Sequence, residues 1–272
     1  MHPIIGLIIN SFEQPDYLGR VLAAVARQTS LPAEVLLADD GSGAAVRSVF
    51  AQWSAAQQLR GEHVWQPHEG FRRARILNQA IARARSDYLV FLDGDTLPHP
   101  QFIADHLQLA RRGGFIQGHR ALVKQQAAAW FGLDEFPRDR RRALWRAQLE
   151  GLKHAFRWPF PLLRTRRGLR GIRGCNLGIW RDDLVQVNGY NEDFVGWGRE
   201  DSELALRLMN QGVKRLDVRG RALCYHLWHA PASRSALPAN DNLLAAAIAQ
   251  RATRCANGLQ QHLRKDDPHS PA

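Results

Sequence analysis

Tyr88-Leu89-Val90-Phe91-Leu92-Asp93-Gly94-Asp95 is a short β-prone apolar run that ends in two carboxylates around a glycine. Its length and composition predict a buried strand, so Asp93 and Asp95 emerge at the carboxyl end, the edge at which open α/β sheets hold ligands. Side chains alternate along a strand, which puts the two carboxylates on one side with Gly94 between them. Such a pair holds a hard divalent cation or a ribose hydroxyl. Taken alone, the triplet is equally an ordinary polar turn, and its neighbours decide between the two.

Upstream, Ile4-Ile5-Gly6-Leu7-Ile8-Ile9 runs into Asn10-Ser11-Phe12, and a helical pattern follows through Leu18, Val21, Leu22 and Val25. A second strand, Glu34-Val35-Leu36-Leu37-Ala38, ends in Asp39-Asp40-Gly41-Ser42. Glu62-His63-Val64-Trp65 is a third, and beyond Gly70-Phe71-Arg72-Arg73-Ala74-Arg75 a helix carries Ile76, Leu77, Ala80, Ile81 and Ala84 on one face. Strands alternating with helices, each strand ending in polar or acidic residues, predict an α/β fold. Its sheet is mostly parallel, Rossmann-like and flanked by helices, with a ligand crevice along the carboxyl edge. No Gly-x-Gly-x-x-Gly follows the first strand and no Gly-Lys-Ser/Thr loop occurs. Phosphates are therefore not cradled in the dinucleotide or P-loop manner, and a metal is the expected partner.

A second acidic cluster lies more than a hundred residues on. Gly171-Ile172-Arg173-Gly174-Cys175-Asn176-Leu177-Gly178-Ile179-Trp180 precedes Gly189-Tyr190-Asn191-Glu192-Asp193-Phe194 and then Gly196-Trp197-Gly198-Arg199-Glu200-Asp201-Ser202-Glu203. Leu204, Leu206, Leu208 and Met209 recur at helical spacing until Gly212, so Glu200 and Asp201 fall in a first helical turn. The helix dipole favours acids there in any protein. It does not account for the glycines flanking Trp197, which permit a loop that moves or comes close to a ligand.

With 272 residues and 45% hydrophobic content, the chain can bury a sizeable core as a single catalytic unit. Cys175, Cys224 and Cys255 have no metal-ligand spacing and cannot all pair, which suits a reducing cytoplasm. We expect no signal peptide and no membrane-spanning helix, because the amino terminus has no basic-then-apolar leader and runs such as Leu243 to Ala249 are far too short. Charge is uneven. Residues 138–173 hold twelve Lys/Arg against Asp139 and Glu150, nearly the whole excess behind the net +11. Trp145, Phe156, Trp158 and Phe160 interleave them. Basic residues with aromatic anchors suit an anionic membrane surface or an anionic lipid-linked acceptor. Nucleic acid is the competing partner, disfavoured because no recognised nucleic-acid motif accompanies the charge. The plainer alternative is a solvated helix face with a loop.

The strand end Asn10-Ser11, Asp39-Asp40-Gly41-Ser42, Arg73-Ala74-Arg75, Asp93-Gly94-Asp95 and the Trp-Gly-x-Glu-Asp block resemble, in this order, the GT-A glycosyltransferases of family 2. The second half is similar to the galactosyltransferase-type C-terminal module, and the likeness runs from about Ile4 to about His229. We expect a nucleotide-sugar-binding half at 1–118, a basic and aromatic acceptor or membrane segment at 119–173, an acceptor and catalytic half at 174–235 and, beyond the likeness, a C-terminal helix with a polar tail at 236–272. The resemblance implies that Asp40, alone or together with Asp39, accepts from the uracil ring, that Asn10 and Ser11 meet the base, and that the Trp197 loop covers the donor sugar. Arg75 would meet the nucleotide or diphosphate, with Arg72 and Arg73 solvated. Asp95 and His229 would ligate the metal, Mn²⁺ in preference to Mg²⁺ because an imidazole joins the oxygens. Asp93 would contact the ribose or the metal's water shell, and His226 would be structural.

A sugar hydroxyl is a poor nucleophile at neutral pH, so the chemistry needs a general base, expected to be Asp201; the resemblance implies that Glu200 orients the acceptor, and the sequence leaves an exchange of the two roles open. In-line attack with an enzymic base inverts the anomeric centre. The expectation is an inverting, metal-dependent transferase that moves a hexose or N-acetylhexosamine from a UDP-sugar to a surface polysaccharide or lipopolysaccharide precursor. It would work in the cytoplasm, peripherally on the inner face of the cell membrane. The contrasting expectation is a non-catalytic, degenerate module that binds anionic membrane or nucleic acid.

Overall fold

The computed structural model describes residues 3–133 and 136–263, so the polar tail from Lys265 lies outside the described residues. The first part is a regular alternation: β1 (Ile5–Ser11), α1 (Pro15–Ala26), β2 (Glu34–Asp39), α2 (Ala44–Ala55), β3 (Arg60–Trp65), α3 (Arg73–Arg83) and β4 (Tyr88–Asp93). There follow β5 (Thr96–Pro98), α4 (Phe102–Leu109), β6 (Gly114–Gln117), β7 (Arg120–Val123), α5 (Gln125–Ala128), α6 (Phe136–Trp145), β8 (Leu149–Glu150) and β9 (Leu162–Arg166). The last elements are β10 (Leu177–Trp180), α7 (Arg181–Gln186), α8 (Glu200–Asn210), β11 (Lys214–Arg219), β12 (Cys224–His226) and α9 (Leu237–Ala249).

An eight-stranded sheet has the order β3-β2-β1-β4-β10-β6-β11-β9. Strands β1 to β4 are mutually parallel, and β10 runs against both β4 and β6. Beyond it β11 is parallel to β6 and antiparallel to the edge strand β9, so the sheet is mixed but mostly parallel, as expected. A smaller sheet, β5-β12-β7-β8, was not foreseen.

Both faces of the large sheet are covered, which is why β1, β2 and β4 are apolar almost without interruption. On one face Leu7, Ile9, Val35, Leu37, Val90 and Leu92 pack with Leu18, Val21, Leu22 and Val25 of α1. On the other, Ile8, Leu36, Leu89 and Phe91 meet Ile76, Leu77, Ala80 and Ile81 of α3 and Leu204 and Leu208 of α8. The three cysteines are buried and free. No helix among the described residues is long and apolar enough to cross a membrane.

The position of α8 sets the position of the second acidic cluster, and a buried ion pair fixes it. Arg207 forks onto both oxygens of Glu203 one turn back, at 2.7 Å each, and also donates to the Val187 carbonyl. Both side chains are essentially sealed from solvent. Removing one partner from such a pair strands the other charge, so Glu203→Gln is expected to cost about 3–5 kcal/mol in urea unfolding. Glu69→Gln, which breaks the exposed pair with Arg75, is expected to cost under about 1 kcal/mol.

Candidate functional site

The crevice opens where β1, β2 and β4 end together. Register sets Asn10 beside Asp93 and Ser11 beside Asp39. Asp39 is fully enclosed, with one oxygen accepting from the Ser42 N–H at 2.8 Å and the other 2.8 Å from His63 Nε2. Burial pushes its carboxyl up, but the bonds from His63 and Ser42 outweigh that and hold it below the usual range. Asp40 accepts from Gln66 Nε2 at 2.6 Å and from the Arg72 N–H at 2.8 Å, and burial raises its pKa. Beside it, the rings of Phe12 and His68 stack at 4.3 Å, forming a flat aromatic wall at the mouth of the crevice. Asn10 Oδ1 is buried there without a hydrogen-bond partner.

Arg73 joins the two acidic clusters. Its guanidinium donates to Asp93 Oδ1 at 3.0 Å, Asp201 Oδ1 at 2.8 Å and Glu200 Oε1 at 3.2 Å. The residue is only 7% exposed, which corrects the expectation that it is solvated. The arginine turned inward is Arg73, whereas the Arg75 side chain is 42% exposed and, among the described residues, reaches only Glu69, at 3.4 Å. The signal was present in the helical period: Arg73 precedes Ile76, Leu77 and Ala80 by three, four and seven residues and so shares their buried face, and Arg75 does not.

The second oxygen of Asp201 accepts from the Gly174 N–H at 2.7 Å. A Cβ at Gly174 would collide with that carboxylate and with the Arg73 guanidinium, so only glycine lets the backbone come this close. Glu200 differs from its neighbour. Its Oε2 is buried with no partner, and burial, reinforced by the Asp201 charge and only partly offset by Arg73, pushes its pKa up to about 7.

Asp95 belongs to a separate group. His229 Nε2 lies 3.1 Å from Asp95 Oδ2 and His226 Nε2 lies 3.6 Å from Asp95 Oδ1. The placement comes from the small sheet, in which His226 pairs with Thr96 and the Leu227 N–H donates to the Asp95 carbonyl at 2.9 Å. One potential ligand atom from each residue lies within 4.8 Å of the others, compatible with a shared ion whose ligands sit about 2.1 Å away. Burial pushes His226 down to about 4, leaving the neutral ring that a metal requires. His229 is raised by its bond to Asp95. Burial lifts the Asp95 carboxyl, but the His229 bond and both imidazoles hold it below its usual range. His226 was expected to be structural and is instead part of this cluster. Arg120 on β7 was also not foreseen. It donates to Cys175 Sγ at 3.2 Å, and its charge acts on Asp93 and on both histidines.

Trp197 stands in a loop whose flanking glycines have φ of +78° and +108°. The loop is held at both sides. Gly196 donates to the Phe71 carbonyl at 2.9 Å, two residues before Arg73, and Asn240 of α9 donates to the Gly198 carbonyl at 2.9 Å. Arg234 lies over the indole at 5.4 Å.

Comparison with known proteins bears on this geometry. The profile of Glycosyl transferase family 2 matches residues 7–171, and that of the N-terminal domain of galactosyltransferase matches 155–229. Validoxylamine A glucosyltransferase of Streptomyces hygroscopicus subsp. limoneus is 30% identical over 231 residues, 78% of this chain and 49% of that protein. Chondroitin synthase of Escherichia coli is 21% identical over 82% of this chain and 34% of its own length. The chain thus spans about half, or less, of these relatives. Among solved structures, the mannosyltransferase PcManGT from Pyrobaculum calidifontis, in complex with GDP-Man and Mn²⁺, superposes with a TM-score of 0.56 at 19% identity, covering 83% of this chain and 57% of that one. GalNAc-T7 with UDP, GalNAc and Mn²⁺ gives 0.61 at 14%, covering 84% and 44%. At these identities the structures speak to the fold.

The Glu200 environment has a pH signature. A carboxyl whose folded pKa is raised to about 7 from an ordinary 4.5 adds stability below 4.5 and loses it as pH climbs to 7. Glu200→Gln, which keeps an oxygen for Arg73 and carries no charge, is therefore expected to gain stability relative to the parent between pH 4.5 and 8. Parallel stability curves across that range would contradict this environment.

Proposed function

The chain belongs to glycosyl transferase family 2, and on that premise we propose that it is an inverting, metal-dependent glycosyltransferase. It moves a hexose or N-acetylhexosamine from a UDP-sugar onto a hydroxyl of a surface polysaccharide or lipopolysaccharide precursor. One observation carries the reading: Arg73 ties Asp93 to Glu200 and Asp201, while Asp95, one residue from Gly94, gathers His226 and His229. Leaving-group chemistry and a base thus face a single crevice.

In this reading the uracil lies against Phe12 and His68 near Asp40, with Asn10 and Ser11 beneath it. Asp39 braces the turn from inside, by its bonds to Ser42 and His63. Asp93 faces the ribose, and Trp197 covers the sugar. Asp201 takes the acceptor proton as the hydroxyl oxygen attacks the anomeric carbon opposite the departing UDP. Its two oxygens are aimed by Arg73 and Gly174, the kind of positioning on which proton transfer depends. Glu200 Oε2, without a partner inside the protein, is available to an acceptor hydroxyl. Asp95, His226 and His229 would hold a divalent ion, whose positive charge offsets the charge developing on the diphosphate. One carboxylate with two imidazoles fits Mn²⁺ better than Mg²⁺.

The division into a nucleotide half to residue 118, a basic segment to 173, a catalytic half to 235 and a C-terminal helix belongs to the same proposal. In the basic segment Trp145 and Phe160 are 84% and 85% exposed, which supports peripheral attachment to an anionic membrane on its cytoplasmic face. A degenerate binding module is the weaker reading, because such a module has no use for the Asp201–Gly174–Arg73 arrangement.

Incubation with a panel of nucleotide sugars and Mn²⁺ is expected to release UDP, and chelator to stop the release. Asp201→Asn should retain nucleotide binding while transfer falls by about 10²–10⁴-fold, and NMR of the first-formed glycoside should show inversion. A retained anomeric configuration, or parent-like turnover in the variant, defeats the base assignment. His226→Ala and His229→Ala are each expected to weaken Mn²⁺ binding by about tenfold or more, measured by titration with the chain intact. An effect confined to His229 returns His226 to a structural role.

A further inference from the structure

A second concentration of charge lies beside the loop of residues 173–176, whose Gly174 holds Asp201. Gln117 at the end of β6 grips that loop: its side chain accepts from the Arg173 N–H at 3.0 Å and donates to the Asn176 carbonyl at 3.2 Å, on either side of Gly174. In register, Asp217 of β11 lies beside Gln117 and beside Arg164 of β9, and Arg215 lies beside Arg166. Paired residues and residues two apart share a face, so these side chains and Arg219 project together. Strands are about 4.8 Å apart, which places β11 and β9 roughly 5 and 10 Å beyond Gln117.

Asp217 is nearly sealed, and one carboxylate serves too many cations. Arg215 takes Oδ2 at 3.2 Å and is itself buried, so these two neutralise each other. Arg166 then stands at 3.4 Å and Arg219 at 3.9 Å from the same carboxylate, with His119 Nε2 at 2.9 Å. The side chains of Arg166 and Arg219 are 39% and 26% exposed, and neither has another acidic group within ion-pair distance among the described residues. The Nε of each is the atom that faces Asp217, and it is buried without forming a hydrogen bond. His154 stacks on His119 at 4.2 Å and 12° and is held neutral, its pKa pushed down to about 4 by burial and by the His119, Lys153 and Arg219 charges. Two partly exposed guanidiniums thus converge, beside the imidazole pair, on one carboxylate already spent on Arg215. Gathering like charges is unfavourable unless an anion arrives from outside.

We propose that Arg166, Arg219 and the His119–His154 pair form a subsite for an acid group, carboxylate or phosphate, carried by the acceptor glycan beyond the sugar that receives the transfer. The guanidinium fork matches both groups in geometry and charge. Starting one strand from the backbone that positions Asp201, the subsite is within reach of the next sugar units of a bound acceptor. The inference rests on the glycosyltransferase reading above and narrows its substrate to an acidic glycan.

The test compares binding of three oligosaccharide probes by calorimetry in the presence of UDP and Mn²⁺: one with a uronic acid as the second residue, its carboxyl-reduced neutral counterpart, and a phosphorylated counterpart. The parent protein is expected to bind at least one acidic probe about tenfold or more tightly than the neutral one, and whichever acid wins identifies the source of the charge. In the double variant Arg166→Gln, Arg219→Gln that ratio should fall to about one, with UDP–Mn²⁺ affinity and thermal midpoint as checks on folding. Should the pair be needed for folding, Arg219→Lys alone, which keeps the charge and loses the fork, is expected to reduce the ratio severalfold. Equal affinity for acidic and neutral probes, or a preference that survives both variants, overturns the subsite. Failure to bind UDP or release it from any donor would instead sink the transferase reading.

Discussion

The site depends on one guanidinium. Arg73, nearly excluded from water, meets carboxylates from β4 and from the first turn of α8, more than a hundred residues apart in the chain. Burial alone would make its charge costly, but Asp201, Asp93 and Glu200 outweigh that and keep it protonated. The converse also holds. Three carboxylates converging without a cation would repel one another, and the two halves would have no electrostatic reason to close on each other. Because a planar fork serves several oxygens in fixed directions, a lysine would not reproduce the arrangement.

What was legible in the sequence was local. The β1 to β4 alternation shows in apolar periodicity because each element is long enough to carry one, and acids at strand ends show because a strand fixes which side its last residues take. Strands β5, β7, β8 and β12 have two to four residues each, too few for any pattern, and the sheet they form exists only through long-range pairing. His226 ranked behind His229 for that reason, since its neighbourhood with Asp95 is created by the pairing of β12 with β5. Arg73 is a different case. Its helical phase marked it as buried, but an arginine next to two others in sequence looks solvated until a counter-ion is known to lie above it.

The basic stretch is not a uniform strip in three dimensions. Arg157 donates to Asp105, which is wholly buried, Arg142 lies over the Trp130 ring at 4.3 Å, and Arg164 and Arg166 are strand residues on β9. Part of the chain's positive charge is therefore structural, as where Arg157 spends its charge on a carboxylate that solvent does not reach. Any membrane or acceptor contact draws on what is left, the outer residues of α6 and the face of β9 and β11. This division is invisible to a count of charges, which treats a sealed arginine and an exposed one alike.

The neighbours Glu200 and Asp201 have unlike environments, and the roles proposed for them follow that difference. Asp201 receives a guanidinium N–H and a backbone N–H on separate oxygens, and these donors fix its direction. Glu200 shares the same guanidinium through one oxygen and leaves the other in a dry, unpartnered position, so burial and its neighbour's charge favour the protonated form near neutrality. In the proposed reaction Asp201 accepts the proton and Glu200 handles a hydroxyl, a separation of the kind expected when paired carboxyls have unlike surroundings. Exchanging the roles would ask the better-desolvated acid to take up charge at the moment the acceptor is deprotonated, without a second donor to stabilise it. The backbone of Gly174, which approaches only one of the two, is what makes the pair unequal.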